Sequence, residues 1–109
     1  SIALIAAGER WHGTTGPLRA AVEDLLGAGA ILAALDPAAS ISSPGCSPEA
    51  AAARAAFVAA RPRLYESLAA CASGRELIQR GWSDDVATAA ALDVTTAVPL
   101  LTAEGFVAA

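Results

Sequence analysis

Two adjacent carboxylates, Glu23 and Asp24, stand at the head of the run "VEDLLGAGAIL", which is otherwise apolar. Neighbouring helix positions point about 100° apart, so one acid can face a cleft while the other holds a supporting partner. Hard oxygen donors of this kind suit Mg²⁺, which keeps several waters and takes one or two carboxylates together with a substrate phosphate. The same residues have a plainer use as negative charges complementing a helix amino terminus. Glu23 also stands at the (i, i+4) offset from Arg19, where an ion pair forms readily on a helix. Spacing alone leaves both readings open.

The second candidate is the loop "GERWHGTTG", Gly8 to Gly16. Where a strand feeds a helix, such loops gather at the ligand-binding end of an open sheet, and the helix amino terminus offers free amide hydrogens to anions. Gly8, Gly13 and Gly16 let backbone approach a phosphate, with Arg10, His12, Thr14 and Thr15 as further donors. The loop has neither a Gly-Lys-Ser/Thr ending nor a Gly-x-Gly-x-x-Gly pattern, so it is not a P-loop or a dinucleotide fingerprint. A solvent-exposed turn explains it equally well. The lone His12 reads as a surface side chain. Cys46 and Cys71 lack metal-type spacing and lack surroundings that lower a thiol pKa, so both read as structural. Asp84 and Asp85 read as first-turn helix charges.

These residues need elements to position them. Ile2 to Ala7, "IALIAA", is short, apolar and closed by Gly8, the pattern of a buried strand. Pro17 suits the first position of a helix, which the sequence then carries to Leu35, with Gly27 and Gly29 inside it as sites of lost stability or close packing. Asp36 to Ser47, "DPAASISSPGCS", has linker composition. Ser47 caps the next helix with Pro48 and Glu49 behind it, and Pro62 stops or kinks that helix near Arg61. A helix over Arg63–Ala72 places Leu64 and Leu68 on one face. Ser73-Gly74-Arg75-Glu76 has the spacing of a capping box and opens a short helix to Gly81. Ser83 caps another, ending near Asp93. Ala97–Leu101 is strand-like, with Pro99 arguing for an edge or an irregular stretch, and "TAEG" followed by "FVAA" predicts a hairpin.

The chain has 109 residues, of which 55% are hydrophobic and only 5% aromatic, so one thinly filled, helix-rich domain is expected. All seven basic residues are arginine against eleven acids, and the net charge of −4 disfavours nucleic acid and anionic membranes. The longest apolar run, Leu25–Leu35, is too short to span a bilayer, and Ile2–Ala7 lacks the basic start of a signal peptide. A soluble protein of the reducing cytoplasm is expected. Without methionine, and beginning on a strand-like run, the sequence reads as the later portion of a longer protein.

Five segments in order, "IALIAAGE", "VEDLLGAGAIL", "SPEAAAARAAF", "CASGRELIQRGWSDDVATAAALD" and "AVPLLTAEGFVA", resemble the C-terminal part of the 2-phosphosulfolactate phosphatase (ComB-like) family and cover nearly the whole chain. The resemblance implies an α/β layered fold, of which residues 1–109 are the helix-rich C-terminal part with a first strand and a terminal hairpin. It implies a Mg²⁺-dependent hydrolase acting on a small acidic phosphoester such as 2-phosphosulfolactate, in coenzyme M biosynthesis. Glu23 and Asp24 are then the catalytic and metal-binding residues, and Gly8, Glu9 and Arg10 bind substrate. Ser73, Gly74, Asp85 and Pro99 fall on further family landmarks. Family segments of the "Asp-Val-Leu-Arg-Ala" type and a later arginine-asparagine segment have no counterpart here, so the implied partner is the N-terminal half of the same protein or another chain, with homo-oligomerisation left open. The rival reading is a non-catalytic, alanine-rich interaction domain that completes a fold with a partner.

Overall fold

The first long helix, α1 (Val22–Leu35), starts at the paired acids rather than at Pro17. Ala21 occupies the position before it in extended conformation and gives no side-chain cap, so Glu23 and Asp24 in the first turn supply the negative charge that its amino terminus favours. The residues expected to begin this helix are extended instead. Leu18–Arg19 (β2) pairs antiparallel with Glu9–Arg10 (β1), in the register Glu9 to Arg19 and Arg10 to Leu18. Between these strands lies a 3-10 turn, Gly13–Thr15, and the Trp11 amide donates to the Pro17 carbonyl at 3.0 Å. The loop that the sequence places before a helix therefore folds back on itself, and its ladder takes residues the helix would have used. The computed structural model describes residues 2–37 and 45–108, without the side chain of Thr14.

Ile2–Ala7 corrects the expectation of a buried first strand. No strand pairs with it among the described residues, and Ile2 and Ile5 are 73% and 92% exposed. An apolar run becomes a strand only when another strand satisfies its amides and carbonyls, and none does so here. The segment, neither helix nor strand, instead lines clefts together with α1. The middle of the expected linker, residues 38–44, lies outside the described residues.

The helices follow their local signals more closely. Ser47 accepts a hydrogen bond from the Ala50 amide at 3.2 Å and opens α2 (Pro48–Ala60), with Pro48 in the first position. Pro62 converts the chain to a 3-10 turn, Arg61–Arg63, before α3 (Leu64–Ala70). α4 (Ala72–Gln79) and α5 (Ser83–Ala90) complete the helical part. Trp82, not Ser83, precedes α5 as the cap residue, while Asp84 and Asp85 do lie in its first turn. The expected hairpin is present as β3 (Pro99–Thr102) and β4 (Gly105–Ala108), in the register Leu100 to Val107 and Leu101 to Phe106. The architecture is thus a mixture of helices and small antiparallel sheets.

Leu26 of α1, Phe57 of α2, Leu64 and Leu68 of α3 and Val86 of α5 form the core, lined by alanines. Alanine side chains leave little depth, so the helices must approach closely. Gly29 allows this: a methyl group built on it would overlap the Ala53 carbonyl and press on Phe57. The radius of gyration, 15.3 Å, exceeds the value of about 13 Å expected for a close-packed chain of this size. The hairpin carries Leu101 and Phe106 at 71% and 73% exposure.

The two glycines of α1 give a paired test. Gly29→Ala should destabilise the fold by about 1–3 kcal/mol through overpacking. Gly27→Ala, where nothing lies near the added methyl, should be neutral or stabilise by up to about 1 kcal/mol. Urea unfolding of both variants decides this, and equal effects would contradict the packing described.

Candidate functional site

The head of α1 carries the acids into two different environments. Asp24 reaches back to the end of the Ile2–Ala7 segment, where its Oδ2 accepts a hydrogen bond from the Gly8 amide at 2.7 Å. Glu23 faces α4. Its Oε1 accepts a hydrogen bond from the Ser73 hydroxyl, and its Oε2 accepts a weaker one from the Cys71 thiol at 3.6 Å. Adjacent positions thus diverge as the helical period requires. Both side chains still line one cleft of about 300 Å³, walled by Leu4–Ala7 and by Gly27, Ala28 and Ile31.

Gly8, Glu9 and Arg10 line a neighbouring cleft of about 380 Å³, with Ala7 common to both. Arg10 has one donor committed: its Nη1 donates to the Gly16 carbonyl at 2.8 Å and ties the loop shut. Glu9 accepts from the Arg10 amide at 2.7 Å. His12 is exposed and adopts the left-handed conformation, φ 57°, at the loop's turning point. A cavity of about 540 Å³ between Ile2–Ala6, α1 and the start of α2 is mainly apolar and contains neither acid of the pair.

The capping box expected over Ser73–Glu76 does not form. Cys71 caps α4 instead, its sulfur accepting from the Gly74 amide at 3.4 Å, and Ser73 and Glu76 lie inside the helix. Both turn to Arg19. The Arg19 guanidinium meets the Glu76 carboxylate through two bonds, Nη1 to Oε1 at 2.7 Å and Nη2 to Oε2 at 3.1 Å. Its Nη2 also donates to Ser73 Oγ at 3.0 Å. The Arg19 side chain is only 4% exposed, and the Trp11 ring covers it with 5.0 Å between guanidinium carbon and ring centre. The expected Arg19–Glu23 helix pair is therefore replaced by a link running from Arg19 through Ser73 to Glu23.

Electrostatics follow this geometry. The hydrogen bond from Arg19, reinforced by its charge, holds the Glu76 carboxyl below the usual carboxylate range, against partial desolvation. Glu76 in turn raises the guanidinium above its ordinary value, with Glu9 and Glu23 adding to the effect. Sequence reasoning gave Ser73, Glu76 and Arg19 local partners and read Cys71 only as structural. Arg19 lies 54 and 57 positions from Ser73 and Glu76, and no pattern within a helix reports such a contact.

The family model described as 2-phosphosulpholactate phosphatase matches residues 1–104. The chain belongs to this family. No curated protein and no solved structure is significantly similar to it. The family name points to a phosphatase, and in this 2-phosphosulpholactate phosphatase family member the acids, the Gly8 amide and the glycine-bearing loop share one end of α1. Among the described residues, no helix is long and apolar enough to cross a membrane.

The ion pair makes stability depend on pH with a definite sign. A carboxyl held low in the folded state stabilises the fold above its unfolded pKa, and loses that contribution as pH falls through the folded value. Glu76→Gln should therefore melt at a lower temperature than the parent at neutral pH, with the gap closing as pH drops below the usual carboxylate range. Thermal scans across that range check this; a gap independent of pH would show that Glu76 acts by packing alone.

Proposed function

We propose that the chain supplies the acid-bearing part of a phosphohydrolase site, which removes phosphate from a small acidic phosphoester such as 2-phosphosulfolactate in coenzyme M biosynthesis. The observation that carries this reading is the convergence of Glu23 and Asp24 on one cleft beside the Gly8–Gly16 loop. Phosphoryl transfer asks mainly for placement and charge neutralisation, and these residues offer both.

Among the described residues, no group of three or more histidine, cysteine, aspartate or glutamate side chains could enclose a metal ion. Mg²⁺ fits a sparser site, because it retains waters and needs only one or two carboxylates beside substrate oxygens. Asp24 suits it best: its hydrogen bond engages Oδ2, and Oδ1 is a hard oxygen for the ion. When bound, Mg²⁺ polarises phosphoryl oxygens and neutralises their charge.

Glu23 has one protein donor on each oxygen, which leaves each oxygen a further lone pair. It orients the attacking water and takes its proton as the new P–O bond forms and the ester P–O bond breaks. The Gly8 backbone and Glu9 line the bound phosphoester, and the remaining donors of Arg10 offset its charge.

The N-terminal half of the same protein, or a partner chain, completes the site and the layered sheet, and the exposed run Ile2–Ala7 is the edge it joins. Two free thiols, Cys46 and Cys71, accord with a cytoplasmic setting. The exposed hairpin apolar groups are equally what an interaction domain would present, and assay of the chain alone and mixed with the N-terminal half separates the two readings. Phosphate release, in either form, that needs Mg²⁺ supports the enzyme; release in neither supports the interaction domain. Asp24→Asn, which keeps an acceptor for the Gly8 amide but removes the charge, should lower Mg²⁺-dependent release by about 100-fold or more. Unchanged turnover would remove Asp24 from the site.

A further inference from the structure

A buried guanidinium must be paired, because leaving its charge unmatched away from water is very costly. Arg19 meets the demand of its charge with the fork-to-fork pair to Glu76 and one more bond to Ser73, while its buried Nε has no hydrogen-bond partner among the described residues. The bond to Ser73 has a directional consequence. A hydroxyl has a single proton, and Arg19, which can only donate, occupies a lone pair of Ser73 Oγ. The Ser73 proton is thereby free to point the other way, and it is donated to Glu23 Oε1. Ser73 converts a positive charge on one side into a hydrogen bond on the other. Glu76, from the next turn of α4, accepts from both Nη atoms of the guanidinium.

We propose that Arg19 is a positioning residue of the hydrolytic site, which acts on Glu23 through the Ser73 hydroxyl and does not bind the substrate phosphate. The inference rests on the role of Glu23 given above. Its structural part, the relay from Glu76 through Arg19 and Ser73 to Glu23, stands on geometry alone. Arginine is required and lysine does not replace it, because a single ammonium nitrogen cannot reproduce the planar fork that sets two nitrogens opposite two carboxylate oxygens while one of them also reaches the hydroxyl. The Trp11 face above the guanidinium and the burial of the side chain close off approach by a phosphate. Arg10, exposed on the loop, is the arginine of this region that a substrate can reach.

The test is a carbon-detected NMR measurement of the Glu23 carboxyl resonance, in chain carrying labelled glutamate, with parallel assays of Mg²⁺-dependent phosphate release in the presence of the N-terminal half. Ser73→Ala should move the Glu23 resonance directly. Arg19→Lys should move it as well, though Arg19 does not touch Glu23, and adding Arg19→Lys to Ser73→Ala should move it no further. Glu76→Gln perturbs the relay from its far end and serves if Arg19→Lys does not fold. A Glu23 resonance that ignores Arg19→Lys or Glu76→Gln in a folded chain, or that responds additively in the double variant, overturns the relay. In the assay, Ser73→Ala should lower kcat about 10-fold or more, the size typical of outer positioning partners, with KM little changed. In a Glu23→Gln background the same substitution should cost nothing further. If Glu23→Gln keeps full turnover, the role given to Glu23 fails, and with it the positioning role, even where the NMR relay holds. If Glu23→Gln is impaired and the Ser73→Ala loss is undiminished in that background, only the positioning inference fails.

Discussion

The rest of the site depends on the burial of one positive charge. Arg19 lies at the end of a two-residue strand, separated from α1 by Ala20 and Ala21, and its side chain is almost wholly out of water. A charge in that place is tolerable only with a matched carboxylate and further hydrogen bonds. The molecule supplies these from α4, more than fifty positions along the chain. The hydrogen bonds to Arg19 tie α4 to the residues just before α1, and the Ser73 hydroxyl carries that tie on to Glu23 at the cleft. With the arginine buried and the Glu76 side chain 43% exposed, the pair trades desolvation against attraction and adds little net stability; what it contributes is a fixed relation between two segments.

Two further features follow from the same anchor. Arg19 is extended because it pairs with Glu9, and that pairing turns the loop Gly8–Gly16 back towards α1. Trp11 in this loop then covers the guanidinium. The Gly8 amide comes within reach of Asp24, so the two acids are fixed from opposite sides, Asp24 by the loop and Glu23 by α4. A thin, alanine-lined core could not set these relations by packing alone. Close contact between α1 and α2 at Gly29 supplies the platform, and polar contacts supply the alignment.

What the sequence discloses divides along the range of the interaction. The start of α2 at Ser47-Pro48, its break at Pro62, the buried face of α3 at Leu64 and Leu68, and the terminal hairpin are all governed by neighbours within a few positions, and all were legible. Ile2–Ala7 has the composition of a strand, but a ladder needs a second strand, which composition cannot guarantee. Pro17 fits a helix start, yet Leu18 and Arg19 are claimed by the loop before it. Ser73–Glu76 has the spacing of a capping box, and both side chains go to Arg19 while the less usual cap, Cys71, holds the helix. The acids of the candidate site were visible as residue types; their hydrogen-bond partners were not, because distant contacts leave no periodic trace.

Membership of the 2-phosphosulpholactate phosphatase family supplies the reaction class, and the structure gives a physical reason for two acids at the head of a helix that is otherwise apolar. Nitrogen-15 NMR of the Arg19 guanidinium reports directly on whether this charge is buried and paired. A forked pair with Glu76 hinders rotation about the Nε–Cζ bond, so the account predicts separate, slowly exchanging Nη proton signals with through-space contacts to the Glu76 and Ser73 side chains. A single averaged signal in rapid exchange with water would mean that Arg19 is neither buried nor held, and would contradict the account at its origin.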